Sequence, residues 1–333
     1  MDYAGLLGKF RVNRKLTESE RNHQLKQKMP LDVRPHYQMS VIKMNSTFLE
    51  SVDKWYGSKG GITGLASVVI AMCAGTLLAM LHFTLTNESK YARNDVGILI
   101  GVALMMSPVI ALASYALLKE SFSYTHYPIR FNRANRMVYV FRTNGTVLSI
   151  PWDNILFTLS QVDEVHKFWN ILGHVLSEDK STVLESFALS KSGRGTPDSL
   201  GSLRSHWEFV RRYMEEGPQE VTKQVQFCLP ISNRKESVSF SLHRLLANTS
   251  TDSPVFAPIL LFALAFELLT FPFRIIAMRT SKIPHWPPEI EAQCQVAEGD
   301  PFAIEGADSG ERVAVYPTAA DKNGVRFVAV SAN

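Results

Sequence analysis

Histidine, cysteine and serine are the residues with which this chain could perform acid–base, nucleophilic or metal chemistry, and their spacing forms no such motif. The nine histidines are scattered along the sequence, and none has the His-Glu-x-x-His spacing of a zinc site on a helix. The three cysteines are too few for a disulfide framework or a thiolate metal site. No Gly-x-Ser-x-Gly sequence marks a nucleophilic serine. The sequence therefore predicts a protein that is not an enzyme and that carries no metal or cofactor.

Two titratable residues lie inside apolar stretches, where ionisable side chains are usually functional. His82 stands near the end of the first apolar stretch, and Glu267 stands within a later one. Either side chain could handle a proton or a ligand, although a neutral imidazole near the membrane interface, such as His82, is more often tolerated without a role. The glycine-rich segment 192–202 (SGRGTPDSLGS) lacks the Gly-Lys-Ser/Thr ending of a phosphate-binding loop, so we expect a flexible linker there.

Two long apolar stretches, 62–85 and 96–118, dominate the first third of the chain. Neither contains a charged residue, and each exceeds the roughly 20 residues that a helix needs to cross a bilayer. Neither has the polar face that a surface helix of a soluble protein normally keeps. The sequence therefore predicts a transmembrane hairpin over residues 62–118.

The charges that flank this hairpin predict its orientation. Residues 1–61 hold eleven Lys or Arg against six Asp or Glu, whereas the linker 87–95 holds only two basic residues. The positive-inside rule then places an N-terminal arm, 1–61, and the long C-terminal part in the cytoplasm of a multi-pass inner-membrane protein. Basic residues next to the spans account for the net charge of +4, which favours contact with the lipid bilayer over nucleic acid. Trp55, just before the first span, fits the interfacial aromatic belt.

Small residues recur at helical spacing in both spans. Such residues let helix backbones approach closely in lipid, so they would pack the two helices of the hairpin against each other. The alternative is that small residues are simply common in membrane helices. The predicted packing positions are Gly64, Ala71 and Gly75 in the first span and Gly97 and Gly101 in the second.

A third apolar stretch, 255–273, is interrupted by Pro258 and Pro272 and carries Glu267. A crossing would leave Arg274 and Arg279 on the outer side, against the charge bias. We therefore favour a helix that packs on the cytoplasmic domain or lies at the bilayer surface. The alternative is a third crossing.

Short β-branched and aromatic runs between turn residues follow the second span. They predict six antiparallel strands, with Asn144-Gly145 as the strongest hairpin signal, and an amphipathic helix at 203–216 follows them. The fold class expected is an α+β membrane protein. Its parts are the transmembrane hairpin, a small antiparallel β-barrel or sandwich capped by a helix at 119–217, a helical region at 218–296 and a tail at 297–333.

Two groups of residues are candidates for binding surfaces. Arg130, Arg133 and Arg136 lie in the first predicted β-hairpins and are candidates for contact with the membrane surface, although solvated turns near a membrane would also collect arginine. Trp286 stands between Pro284 and Pro287 in a proline-stiffened segment. An aromatic side chain held in this way suits a protein contact site, or it fills the core of the cytoplasmic domain.

The order of a sheet followed by a closing helix resembles a pleckstrin-homology-like domain. A second resemblance rests on four stretches of the chain: PIRFNRANRMVYVFR, VLSIPWDNI, WEFVRRYMEEGP and TSKIPHWPPEIEAQC. They resemble an uncharacterised family of bacterial membrane proteins. Members of that family are often encoded near type VI secretion and toxin genes. The resemblance implies a secretion effector or an apparatus component as partner, and it implies no chemistry.

Two functional hypotheses follow. In the first, the chain is a non-enzymatic inner-membrane protein whose cytoplasmic domain binds a protein partner, as an accessory or immunity component of type VI secretion. In the second, it is a transport or signal-transducing unit in which the hairpin oligomerises and His82 or Glu267 handles a proton or ligand.

Overall fold

The protein has an α+β fold in which antiparallel sheets adjoin the base of a long helical hairpin. The computed structural model describes residues 9–86, 92–161, 168–225, 227–242, 257–306, 313–321 and 324–331. Its helices are α1 (Glu18–Asn22), α2 (Gly61–Thr86), α3 (Ala92–Ser121), α4 (Pro197–Glu215), α5 (Pro218–Thr222), α6 (Ala257–Thr280) and α7 (Pro288–Gln293). Its strands are β1 (Arg14–Lys15), β2 (Gln24–Leu25), β3 (Val41–Met44), β4 (Phe48–Ser51), β5 (Ile129–Asn132), β6 (Met137–Phe141), β7 (Val147–Pro151), β8 (Ile155–Gln161), β9 (Phe168–Leu176), β10 (Thr182–Arg194), β11 (Ile304–Glu305), β12 (Val313–Asp321) and β13 (Gly324–Ser331).

The helical hairpin is inserted between two neighbouring strands of the larger sheet. The strand order of this sheet is β11-β3-β4-β5-β6-β7, and β4 pairs with β5 from Phe48↔Asn132 to Ser51↔Ile129. β4 precedes the hairpin in the chain and β5 follows it. Residues 1–61, expected to form a separate arm, therefore supply two strands of this sheet and, through β1 and β2, both edges of the smaller one. These pairings are long-range, so the local sequence pattern does not reveal them.

The smaller sheet has the order β1-β10-β9-β8-β2. β7 and β8 belong to different sheets because the 3-10 turn Trp152–Asn154 redirects the chain between them. The predicted antiparallel strands are confirmed, but they do not close into a barrel. The indole of Trp152 is buried and stacks on Trp207 of α4, with ring centroids 5.8 Å apart, so the core lies where the two sheets meet α4.

The segment 192–202, predicted to be a flexible linker, is regular structure. Gly193 and Arg194 pair with β9 at the end of β10. Thr196 is the N-cap of α4, with its hydroxyl accepting from the backbone N–H of Ser199, and Pro197 occupies the first helical turn. A capping threonine followed by proline is a typical helix start, and the glycines on either side obscured it.

Among the described residues, α2 and α3 are the helices long and apolar enough to cross a membrane. Their outer faces are exposed, with Leu78, Leu104 and Met105 each at least 65% accessible. The two helices pack against each other along their length, and most of the positions that are less exposed carry large side chains. These positions include Val69, Cys73, Leu77 and Met80 of α2 and Leu99, Met106 and Ile110 of α3.

Most of the small residues that were predicted to pack the hairpin do not lie at this interface, so their predicted role needs correction. Ala71, Gly75, Gly97 and Gly101 are exposed, and a Cβ at any of the three glycines would meet nothing within 4 Å. Only Gly64 lies at a close contact, because its Cβ would be 3.0 Å from Phe273 of α6. Glycine at this position lets α6 pack closely against α2, a contact that the sequence did not indicate.

α6 contains residues 257–273 of the third apolar stretch and packs along both α2 and α3; residues 255–256 lie outside the described residues. Its residues Leu261 and Leu268 are exposed. Its last turns reach the β-rich domain, where Met278 is buried in a cluster with Tyr56 and Phe240. α6 therefore packs mainly on the hairpin rather than only on the domain.

Candidate functional site at the hairpin base

The three long helices meet the β-rich domain at one place, the hairpin base, which we define as residues 53–64, 119–127 and 274–282. The chain segments that leave α3 and α6 run side by side there. The N–H of Lys282 donates to the carbonyl of Ser123 at 2.7 Å, and the N–H of Thr125 donates to the carbonyl of Lys282 at 2.8 Å. The base is therefore part of the folded domain.

α2 and α3 cap each other at the base. The carboxylate of Glu120, in the last turn of α3, accepts from the N–H groups of Gly60 (3.0 Å) and Thr63 (2.6 Å) at the start of α2. The ammonium of Lys59 donates to the carbonyls of Glu120 (2.9 Å) and Tyr124 (2.8 Å) where α3 ends. An anion at a helix N-terminus and a cation at a C-terminus both oppose the local helix dipole favourably. This exchange holds the two helices in register at the domain surface.

A buried ion pair joins α6 to the same place. The guanidinium of Arg274 donates to the carboxylate of Glu236 at 2.6 Å, and this carboxylate also accepts from the hydroxyl of Tyr56 at 3.1 Å. Arg274 donates further to the carbonyls of Tyr56, Gly57 and Lys59 at 3.1–3.3 Å. Because both charges are buried and their donors and acceptors are paired, removing one charge would leave the other uncompensated.

Gly60→Ala is expected to destabilise the protein, whereas Gly61→Ala is not. Gly60 has φ +98°, and a Cβ there would lie 2.4 Å from the Cα of Arg274. The positive φ alone costs about 1–2 kcal/mol for an alanine, and the backbone contact adds to it. Gly61 lies in α2 with nothing within 4 Å of its Cβ position. Thermal unfolding in detergent would measure the difference, and equal melting temperatures for the two variants would contradict this account.

A cavity of about 290 Å³ opens at the base between the first turn of α2, the last turn of α3 and the β6–β7 turn. Ile62 and Ala116 form part of its apolar wall, and Thr143 and Asn144 lie on the domain side. Its charged and aromatic lining residues are Lys9, Asp53, Trp55, Tyr56, Lys59, Lys119, Glu120, Tyr124, His126 and Tyr127. This volume is at the small end of the range of ligand sites.

The polar groups of this cavity differ in whether they have hydrogen-bond partners. The carboxylate of Asp53 accepts from the N–H groups of Tyr127 (2.8 Å) and Trp55 (2.9 Å), and burial raises the pKa of Asp53. The indole Nε1 of Trp55 is buried and has no hydrogen-bond partner among the described residues. The cavity thus holds an unmatched donor.

A second cavity, of about 440 Å³, lies between α2 and α6 and is mostly apolar. Leu65 and Val68 of α2 face Phe266 and Leu269 of α6 across it, and Glu267 also lines it. His82 is exposed on α2, at least 14 residues beyond Val68, or about 21 Å at 1.5 Å per residue. The two titratable residues singled out in the sequence therefore do not share a site.

Arg130 is not available to a membrane surface, because its side chain is only 3% exposed. Its guanidinium pairs with Glu50 at 2.7 Å and with Glu291 of α7 at 3.2 Å. It lies between the rings of Phe48, 4.3 Å away, and Trp286, 4.7 Å away. The predicted surface arginine is thus a core residue that attaches α7 to the sheet.

Trp286 and its neighbouring prolines belong to the same contact. Pro284 is buried, and Trp286 and Pro287 are half-buried. Besides Arg130, Trp286 contacts the ring of Phe141 edge-on, with centroids 5.9 Å apart. The structure therefore uses Trp286 to pack the segment after α6 onto the larger sheet, which corresponds to the alternative in which this side chain fills the core.

Arg133 and Arg136 lie away from the hairpin base. β5 starts next to the base and leads away from it, and both arginines follow its far end. At 3.3 Å per residue, Arg133 is about 13 Å along the strand from Ile129. Arg136 pairs with Asp153 at 2.7 Å and Glu215 at 2.9 Å. These positions do not fit the predicted membrane-surface role, whereas Trp55 does lie at the base.

Three buried histidines make stability depend on pH. Burial lowers the pKa of His126 and of His206 to about 3 and that of His174 to about 4. The unfolded chain therefore binds more protons than the folded chain between about pH 4 and the ordinary histidine pKa of about 6.5, so stability is expected to fall as pH drops through this window.

Each neutral histidine contributes a slope of about 1.4 kcal/mol per pH unit. Denaturant unfolding at several pH values would measure the total slope. His206→Phe is expected to reduce it, since His206 is buried and burial lowers its pKa. Replacement of the exposed His285 by phenylalanine is the control. A flat profile for the unmodified protein would contradict the prediction.

The residues that build the base were not recognised in the sequence as a site. Lys59 and Glu120 stand at the two outer ends of the predicted hairpin, and this position was the available signal for mutual capping. In the sequence, Arg274 is recognisable only as a charge that bears on the membrane topology. Its pairing with Glu236 joins residues 38 positions apart, so no local pattern could indicate it.

Fold and site together define an α+β protein with two helices that could span a membrane. The family of unknown function DUF6708 matches residues 106–298, more than half of the chain. The chain belongs to this family. The matched region begins within α3 and ends after α7, so it contains β5 to β10 but neither β1 to β4 nor β11 to β13. No curated protein and no solved structure matches the chain.

Proposed function

We propose that this chain is a non-enzymatic protein of the bacterial inner membrane that presents a cytoplasmic β-rich domain to a protein partner. The observation that carries the proposal is the insertion of an apolar helical hairpin between the paired strands β4 and β5. Lys59 and Glu120 hold α2 and α3 together, and Arg274 and Glu236 tie the base into the domain, so the domain would be held against the bilayer at a fixed orientation.

The structure supports two crossings rather than three. Phe240, before α6, and Met278, near its end, pack in one cluster at the hairpin base. A single crossing between these residues would put them on opposite sides of the bilayer. We therefore infer that α6 lies beside the hairpin, and that Phe240 and the end of α6 are on the cytoplasmic side together with the N-terminal strands.

The far end of the larger sheet is the surface that we propose for the partner. It carries Arg133 and the ion pairs of Arg136 and Lys28 with Asp153 and Glu215. This end points away from the hairpin base and so toward the cytoplasm in the proposed orientation. The partner class, a type VI secretion effector or apparatus component, rests on the family resemblance of the sequence.

The test combines topology with capture of a partner. Reporters fused after Asn333 and within the linker 87–95 are expected to report cytoplasm and periplasm, respectively. Cross-linking in cells followed by detergent extraction is expected to recover one stoichiometric protein, and Arg133→Glu to reduce its yield. Lys223→Glu, at an exposed residue of the same domain, is the control. A periplasmic signal from the reporter at Asn333 would overturn the proposed topology. Equal recovery of the partner with both variants would overturn the proposed partner surface.

A transport or signal-transducing unit is the second candidate, and Glu267 in the groove between α2 and α6 favours it. On that reading, Glu267→Gln abolishes flux or signalling, while His82→Ala has no effect because His82 lies outside the groove. Full function of Glu267→Gln in cells would dismiss this candidate.

A further inference from the structure

The cavity at the hairpin base is lined by hydrogen-bond donors that have no acceptor within the described part of the chain. The side chain of Lys59 is about nine-tenths buried. Two of the three N–H groups of its ammonium are donated to the carbonyls of Glu120 and Tyr124, and the third has no acceptor among the described residues. The buried indole Nε1 of Trp55 likewise has no acceptor among the described residues. Both groups can only donate, so a ligand for this cavity must accept.

The charge of the cavity favours an anion. Three lysines line it, Lys9, Lys59 and Lys119, against two carboxylates. The carboxylate of Glu120 is occupied by the start of α2, and that of Asp53 accepts from two backbone N–H groups. Neither carboxylate is the unmatched group of the cavity. A buried cation with a spare donor is stabilised by an oxyanion.

The position of the cavity identifies the source of the anion. Its apolar wall includes Ile62 and Ala116, from the first turn of α2 and from near the end of α3. In a hairpin that crosses the bilayer, these turns lie where hydrocarbon gives way to lipid head groups. Basic pockets at the cytoplasmic ends of membrane helices are suited to anionic head groups.

We propose that this cavity binds the phosphate of an anionic phospholipid from the inner leaflet. The phosphate oxygens accept from Lys59, Lys119 adds charge, and the acyl chains leave past Ile62 and Ala116. The indole N–H of Trp55 has almost no accessible surface, so the ring turns toward the cavity to donate to the phosphate. The inference rests on the proposed membrane location, and it adds a specific lipid to the general attraction between basic residues and the bilayer. Bound lipid would tie the domain to the inner leaflet at the point where α2 and α3 are capped.

The test uses the full chain in phosphatidylcholine nanodiscs titrated with phosphatidylglycerol, with bound lipid counted by native mass spectrometry. The unmodified protein is expected to retain one phosphatidylglycerol in preference to phosphatidylcholine. Lys119→Gln is expected to weaken this binding about fivefold, and Trp55→Phe, which removes only the indole donor and part of the ring, about tenfold. Lys59 is left unchanged because it also caps α3.

Two matched controls separate the site from general effects of charge or of tryptophan loss. Lys223→Gln removes an exposed lysine, and Trp169→Phe removes an indole of β9; neither residue lines the cavity. Both are expected to bind phosphatidylglycerol as the unmodified protein does. Equal retention of the two lipids, or equal loss with site and control variants, would overturn the proposal.

A further arm distinguishes the lipid from a soluble phosphate. Millimolar inorganic phosphate is expected not to displace phosphatidylglycerol, because it lacks the acyl chains that the apolar wall contacts. Complete displacement would assign the cavity to a soluble phosphate and overturn the lipid assignment. Loss of lipid preference in a protein that still inserts into nanodiscs leaves the membrane location standing, whereas failure to insert contradicts the proposed function itself.

Discussion

Arg274→Met is expected to lower the free energy of unfolding by about 3–5 kcal/mol, because it leaves the carboxylate of Glu236 buried without its cation. The side chain of Glu236 is fully buried, and Arg274 also holds three carbonyls of the segment that precedes α2. The substitution therefore removes the connection between α6, the domain and the start of the hairpin. Denaturant unfolding in a mild detergent, followed by tryptophan fluorescence, would measure the loss.

Arg279→Met is the matched control, since Arg279 lies on the same helix but is exposed. A change within about 0.5 kcal/mol is expected there. Adding Glu236→Gln to Arg274→Met is expected to recover part of the loss, because the uncompensated charge is then gone. Two results would show that the ion pair does not hold the base. One is an Arg274→Met protein that loses no more stability than Arg279→Met. The other is a double variant whose loss equals the sum of the losses of its two single variants.

Arg130→Met is expected to cost a similar amount, about 3–5 kcal/mol, with little change in membrane association. Arg130 neutralises the buried Glu50 and lies between Phe48 and Trp286. Its removal leaves a buried carboxylate and loosens the attachment of α7 to the sheet. Unfolding and membrane flotation of the same variant separate the two roles that an arginine at this position could have.

Arg136→Met is the comparison for this substitution. Arg136 is 36% exposed and its partner Asp153 is exposed, and its less exposed partner Glu215 keeps Lys28 as a second cation, so a loss of at most about 1 kcal/mol is expected. A stable Arg130→Met protein that no longer floats with vesicles would restore the membrane-surface interpretation that the burial of Arg130 argues against.

The sequence alone determined the features that depend on local patterns. The two charge-free stretches predicted α2 and α3, because length and composition decide whether a helix could span a bilayer. Alternating residues and Asn144-Gly145 predicted the strands from β5 to β10, since side chains in a strand alternate between two faces. The amphipathic pattern likewise predicted α4, although not its first turns, which glycines concealed.

Only the tertiary structure decided which of these elements meet. Strand pairing across the inserted hairpin joins Phe48 to Asn132, and a residue pattern with a period of two carries no information on the partner strand. For the same reason Arg130 and Arg133, similar in the sequence, differ in environment: one is buried against Glu50 and the other lies at the remote end of the sheet. The hairpin base exists only because long-range contacts bring Lys59, Glu120 and Arg274 together.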